Sequence, residues 1–266
     1  MNVRKVFVLL LVVLSASLVG LSAANAALVA NWSFDTDFTA TVGGAAYDAT
    51  AYNGASIGAE SKFGGGAAAF NRSLSQYVKA ASPDLTNDFS VSAWYYMDAG
   101  NLASGTYYSI LEAAPDYTIS LRLQDEDSGD DLASYLGTHQ TDGFRTTDDD
   151  THFQWQNVIS TYDYNPDTGY GDWNLYINNV KQGDTISVWG HGRTATDLVI
   201  GSKRTADDRF WSGYIDDVAV YNHRLGSAER AALQLTAAAP VPEPGSMLLV
   251  ITGMIGLIAY AWRKRT

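Results

Sequence analysis

The sequence contains no cysteine, so neither a disulfide framework nor a thiolate metal site can hold it together, and its stability rests on burial, with a metal bound by other ligands as the remaining cross-link. Histidine is scarce: those at 139, 152, 191 and 223 form neither an H-E-x-x-H string nor a close pair, which gives a zinc site little support. Basic residues are outnumbered, with 17 Lys and Arg against 29 Asp and Glu. With the two termini set aside (Arg4, Lys5, Glu243, Arg263, Lys264 and Arg265), 12 bases face 28 acids, a net charge of −16. A surface of that sign repels phosphate backbones and anionic lipid, which argues against nucleic acid as a partner and favours divalent cations. Long helical periodicity is missing as well, from Ala27 to Leu225.

What is present begins with the two ends. Arg4 and Lys5 precede an apolar run from Val6 to Leu21, and Ala24-Asn25-Ala26 is a small-x-small cleavage pattern, so residues 1–26 read as a secretory signal peptide. At the other end, 237–245 is a linker rich in Pro and Ala, and 246–262 is an uncharged run. As a helix that run spans about 26 Å, just short of a hydrocarbon core of about 30 Å. Arg263, Lys264 and Arg265 then lie in a basic tail at 263–266 that stays cytoplasmic, with the rest of the chain outside.

Between the ends, short runs rich in Val, Ile, Tyr, Trp and Thr alternate with clusters of Gly, Asn, Asp and Ser. Strands are expected at 28–34, 76–80, 89–97, 107–113, 117–124, 156–164, 173–180, 197–203 and 213–222, the pattern of an all-β sandwich or barrel with antiparallel pairing. In WNLYINNVKQG, Trp173, Leu175 and Ile177 alternate with polar positions, and Asn178-Asn179 suits the positive-φ positions of a two-residue hairpin turn. One helix is predicted at 228–235 with Ser227 as its N-cap, which ends the domain, 27–236.

FQWQNVISTYD, then WNLYINNVKQG, DLVIGSKR and FWSGYIDDVAVYNHRLGSAERAAL, resembles the laminin-G-like (concanavalin A-like lectin/glucanase) family. NWSFD, KFGGGAAAF and FSVSAWYY extend the resemblance over roughly 28–235. It implies an antiparallel two-sheet jelly-roll sandwich. The chain departs from the family pattern at Asn179, where a turn Gly is usual, at Arg230, where an acid is common, and across 98–150, which aligns with nothing. Val241-Pro242-Glu243-Pro244, followed by the apolar run and the three bases, resembles the PEP-CTERM sorting signal of Gram-negative bacteria. That resemblance implies an exosortase-type processing protease as partner, transient anchorage in the inner membrane, and a place at the cell surface or in exopolysaccharide and biofilm matrix.

Chemistry concentrates in GYIDDVAVYN. On a regular strand Asp216 shares a face with Val218 and Val220, so if the valines face the core the carboxylate is buried and must be hydrogen-bonded, paired or on a metal. The resemblance implies a structural Ca²⁺ held by Asp35, Asp48 and Asp216, hard oxygen donors that suit calcium; the alternative is that Asp216 accepts backbone N–H bonds. Asp217, on the opposite face, is expected to be solvated. The acidic runs at 124–131 and 146–152 lack the order of a calcium loop. GASIG (54–58) matches a nucleophile elbow only formally, because the strand, turn and helix of that motif are not predicted. The E-x-D-x-(x)-E string of glucanases that share the jelly roll is missing, and the only Glu before the linker are Glu60, Glu112, Glu126 and Glu229. Trp32, Trp94, Trp155 and Trp173 are expected in the core. Trp189 and His191, in a loop, and Trp211, beside a turn, are the candidates to stack on a sugar. The expected function is a non-enzymatic exported protein that binds extracellular glycan or another matrix component. The alternatives are a polysaccharide-degrading enzyme of the same fold and a ligand-free structural coat protein.

Overall fold

Inward side chains that alternate along short strands can be buried only against a second layer. The computed structural model describes residues 27–98, 106–115, 119–125, 130–135, 144–145, 153–190 and 194–238. The expected signal peptide, the apolar run at 246–262 and the basic tail lie outside them. Residues 27–241 form one compact unit. Among the described residues no helix is long and apolar enough to cross a membrane.

The described residues form two sheets, the first with eight strands: β1 (Leu28–Trp32), β3 (Ser56–Gly58), β4 (Ala67–Phe70), β6 (Phe89–Met97), β11 (Trp155–Asn165), β12 (Tyr170–Ile177), β13 (Val180–Trp189) and β15 (Gly213–Tyr221). Their order is β13-β12-β11-β6-β15-β4-β3, with β1 also paired to β15. The second sheet has seven strands in the order β10-β9-β8-β7-β14-β5-β2. These are β2 (Thr50–Tyr52), β5 (Tyr77–Ala81), β7 (Tyr107–Ala114), β8 (Ser120–Asp125), β9 (Asp130–Tyr135), β10 (Phe144–Arg145) and β14 (Asp197–Ile200). Every pairing is antiparallel. The result is the all-β, jelly-roll-like sandwich expected from the sequence.

β6 shows why the chain folds this way. Phe89, Val91, Ala93, Tyr95 and Met97 point between the sheets into the main core, as do Val158, Tyr162, Trp173, Leu175 and Ile177 from β11 and β12. The opposite side of β6 is covered too. Ser90 Oγ donates to His223 O (2.8 Å) and accepts from Leu225 N (2.9 Å). The short helix α1 (Ser227–Ala232) follows, and Leu225 and Leu233 close a second apolar cluster on Ile159, Tyr176, Ala219 and Tyr221. The helix is shorter than predicted, and Ser227 lies inside it. Its N-cap is Gly226, whose N–H is taken by the Glu229 carboxylate (2.6 Å) because glycine offers no side-chain oxygen.

The hairpin reads as the sequence suggests. Ile177 pairs with Val180, and Asn178 and Asn179 take φ 48° and 65°. The two departures from the family pattern meet here: Arg230 Nε donates to Asn179 Oδ1 (3.3 Å), and its guanidinium lies 3.8 Å over the Tyr176 ring. β13 is the exposed edge of its sheet, and its register against β12 shifts between Trp173 and Leu175, near Gly183 at φ 61°.

Gly171 allows the close approach of β12 to β11, because a Cβ there would fall 2.2 Å from Tyr162 Cζ. The Tyr162 hydroxyl in turn donates to Gly190 O, just beyond β13. Gly171→Ala is expected to lose about 1–3 kcal/mol through overpacking, read as a lowered urea midpoint; an unchanged midpoint would show that the Tyr162 ring can move aside.

Candidate functional site

Alternation alone misplaces the acids of β15. Along its pairing with β6 the register shifts between Asp216 and Ala219, and Asp217 sits at φ 46°. This bulge puts Ile215, Val218 and Val220 together on the core side. Asp216 stands opposite Trp94, on the outer side of the sheet. Neither acid is solvated, since Asp216 is 1% and Asp217 2% exposed. The expectation that Asp217 faces water is therefore corrected, and Asp216 is buried on the face away from the valines.

Each carboxylate acts as a clamp. Asp216 Oδ2 accepts from Lys62 N (2.8 Å) and Phe63 N (3.1 Å), which fixes the loop between β3 and β4. Lys62 Nζ then lies 4.2 Å over the Trp94 ring, and Phe63 meets Trp94 edge-on. Asp35 grips the same loop through Gly65 N (2.6 Å). A Cβ on Gly64 would collide with the Asp35 carboxylate at 1.6 Å. Asp217 accepts from Asn31 Nδ2 (2.9 Å) and from Ala238 N (2.5 Å), two residues past the predicted domain end. Asp48 accepts from Ala40 N (2.9 Å) and holds a different turn.

Asp35 and Asp216 thus converge on one loop, and Asp48 does not join them. Among the described residues no group of three or more His, Cys, Asp or Glu stands together as a metal site. Backbone amides meet each of the three carboxylates: Lys62 and Phe63 at Asp216, Gly65 at Asp35 and Ala40 at Asp48. Among the described residues, Asp216 Oδ1 is buried without a hydrogen-bond partner.

The aromatic candidates separate. Trp211 is fully buried between Tyr95 (5.7 Å) and Tyr108 (6.4 Å), both edge-on. It is a core residue, closed to a ligand, because its segment folds back over the sandwich and Trp211 N bonds Gly201 O. His191 lies outside the described residues. Trp189 is the last residue of β13 instead of part of a loop, and it is 73% exposed. Its cross-strand partner is Tyr170, 46% exposed. Gly171 and Trp173 point inward, so Tyr170 and Trp189 share the outer face. The indole edge rests beside the 165–169 turn, 3.8 Å from where a Cβ on Gly169 would lie. Sequence reading missed Tyr170; the signal was its odd spacing from Trp173.

Other motifs resolve as structure. GASIG supplies the antiparallel strand β3, followed by no helix. Glu112 is buried, accepting from Ser109 Oγ (2.6 Å) and Arg209 Nη1 (3.2 Å). Glu229 bonds Gly226 N and His223 Nε2 (2.8 Å).

Residues 71–229 match the concanavalin A-like lectin/glucanases superfamily, and the chain belongs to it. Residues 240–265 match the PEP-CTERM protein-sorting motif, which implies export and exosortase-dependent, membrane-associated sorting in Gram-negative bacteria. A search of curated proteins returns no match. Among solved structures, domain 4 of AbnA, a GH43 extracellular arabinanase from Geobacillus stearothermophilus in complex with arabinotriose, is 21% identical, with 79% of this chain and 99% of that one covered at TM-score 0.55. The binding domain of Paraclostridial Mosquitocidal Protein 1 is 14% identical over 79% of this chain and 52% of that one, TM-score 0.58. A Trypanosoma rangeli sialidase in complex with the inhibitor DANA is 16% identical over 78% and 32%, TM-score 0.55. The chain therefore spans about half of the mosquitocidal binding domain and a third of the sialidase. At these identities the likeness shows the fold.

Burial pushes the Asp216 carboxyl up to about 7, against the pull of the Phe63 and Lys62 amides. Asp217 is raised by burial too. A carboxyl with a folded pKa above its unfolded value of 3.8 contributes stability below that value and loses it as pH rises through the folded pKa. The urea midpoint is thus expected to fall between pH 4 and 8, and Asp216→Asn, which keeps an acceptor for both amides, to flatten that fall. If millimolar Ca²⁺ restores the wild-type midpoint at pH 8 and EDTA reverses it, a cation serves the unpartnered oxygen; no response leaves the proton in that role.

Proposed function

We propose that this protein is an exported glycan binder of the cell surface or exopolysaccharide matrix, and that a sugar ring stacks on Trp189 beside Tyr170. The observation that carries the reading is the exposure of these two aromatics as cross-strand neighbours on one face. Large apolar rings left in water favour a ligand that covers them, and the apolar face of a pyranose suits an indole while its hydroxyls remain hydrated. The sorting motif at 240–265 supports a destination outside the cell. A solved domain of this fold in complex with arabinotriose supports glycan as the ligand class.

The protein acts by binding, without catalysis. Two of the four Glu before the linker are engaged in the fold, Glu112 buried against arginine and Glu229 capping α1, which supports a binding role over glycoside hydrolysis. The platform is preformed: Tyr162 and the Gly190 N–H to Gly169 O bond (2.8 Å) fix the chain just after Trp189. Export to the matrix then places a rigid aromatic surface among extracellular polysaccharide.

A glycan array probed with the purified protein, with Trp189→Ala and with Tyr170→Ala, tests this. Trp189→Ala is expected to weaken binding about 10- to 30-fold, the loss typical of an anchoring aromatic, without lowering the urea midpoint. An unaltered array profile in that variant would remove the platform as the binding site.

A further inference from the structure

We infer that the platform selects glycans bearing a free ammonium group and that Asp172 is the side chain that reads it; this rests on the platform proposed above. Asp172 follows Tyr170 by two residues on β12, so it shares the outer face at a Cα step of about 6.6 Å. Its partner on β13 is Ser187, and its partner on β11 is Asp163, directly opposite.

Two carboxylates facing each other across neighbouring strands repel. Arg224 relieves one of them, its Nη1 lying 2.9 Å from Asp163 Oδ2. Asp172 is exposed and has no hydrogen-bond or ion-pair partner among the described residues. Of the cations on this face, Arg224 pairs with Asp163, Arg230 lies over Tyr176, and Lys181 turns its Nζ to Thr185 Oγ1 (2.8 Å), so Asp172 keeps no direct ion pair beside the exposed indole among the described residues. A second cation completes the pairing, and an ammonium group on a sugar stacked over Trp189 can provide it. The same ammonium gains from the negative π-face of the indole. A uronate or sulfated sugar would instead bring an anion to Asp172 on a domain of net charge −16. The ligand class is thus a hexosamine polymer with free amines, as opposed to its fully N-acetylated or its uronic counterpart.

Calorimetry of the purified protein with glucosamine, N-acetylglucosamine and galacturonate tetrasaccharides tests the inference. Wild type is expected to bind the amine form about five- to tenfold more tightly than the acetylated form, with the uronate weakest. That preference should shrink as salt rises to about 1 M. Asp172→Asn is expected to bring the amine-to-acetyl ratio close to one, and Trp189→Ala to weaken both. Equal binding of the two forms by wild type, with both still dependent on Trp189, would overturn the ammonium preference and leave the platform standing. A preference that survives in Asp172→Asn overturns the role of Asp172. Binding that ignores Trp189 altogether overturns the platform itself.

Discussion

At the β-bulge of β15, Asp216 and Asp217 bring two carboxylates into the covered outer side of the central strand, and three distant segments come to meet them. Lys62 and Phe63 approach from the loop between β3 and β4, Asn31 from β1, and Ala238 from the end of the domain. Buried charge is tolerated only where donors converge on it, so each segment must be in place for the others to be stable. Without disulfides, this junction holds the last described residues against β15 with an amide hydrogen bond. It also explains why the outer side of a single sheet is so thoroughly buried at β6 and β15, where a plain sandwich would leave it wet.

The half of the sheet that bears the aromatic platform is supported differently. Arg230 on α1 reaches both Tyr176 and Asn179, so the helix, the β12–β13 turn and the second apolar cluster form one contact set. A Gly at 179 would supply the turn geometry but no acceptor for the guanidinium, and an acid at 230 would place its charge over the negative π-face of Tyr176. The two unusual residues make sense as a pair. Together with Tyr162 packed on Gly171, they keep β12 and β13 in the register that sets Tyr170 beside Trp189.

Much of the fold was legible in the sequence because it depends on local periodicity. The bounds of β6 and the Asn178-Asn179 turn follow from alternation and from the tolerance of Asn for positive φ. The burial of Asp216 could be anticipated, but its face could not. A bulge inserts a residue that strict alternation cannot register, and the same insertion hid the burial of Asp217. Trp211 was misplaced because a turn-rich flank says nothing about folding back over a core. Trp189 was recognisable as an unusual exposed aromatic, yet Tyr170 and Asp172 acquire meaning only through cross-strand register, a relation between segments that no single run of residues displays. β2, β3 and β4 also escaped notice, being short and rich in Ala, Gly and Ser.

The register shift in β13 carries a further consequence for self-association. An edge strand ten residues long would normally be an open template on which another copy could add its own strand, and so on into a fibre. Here the ladder is broken near Gly183, and Lys181 and Asp184 stand exposed beside the break. The break opposes the addition of a second copy's strand along this edge.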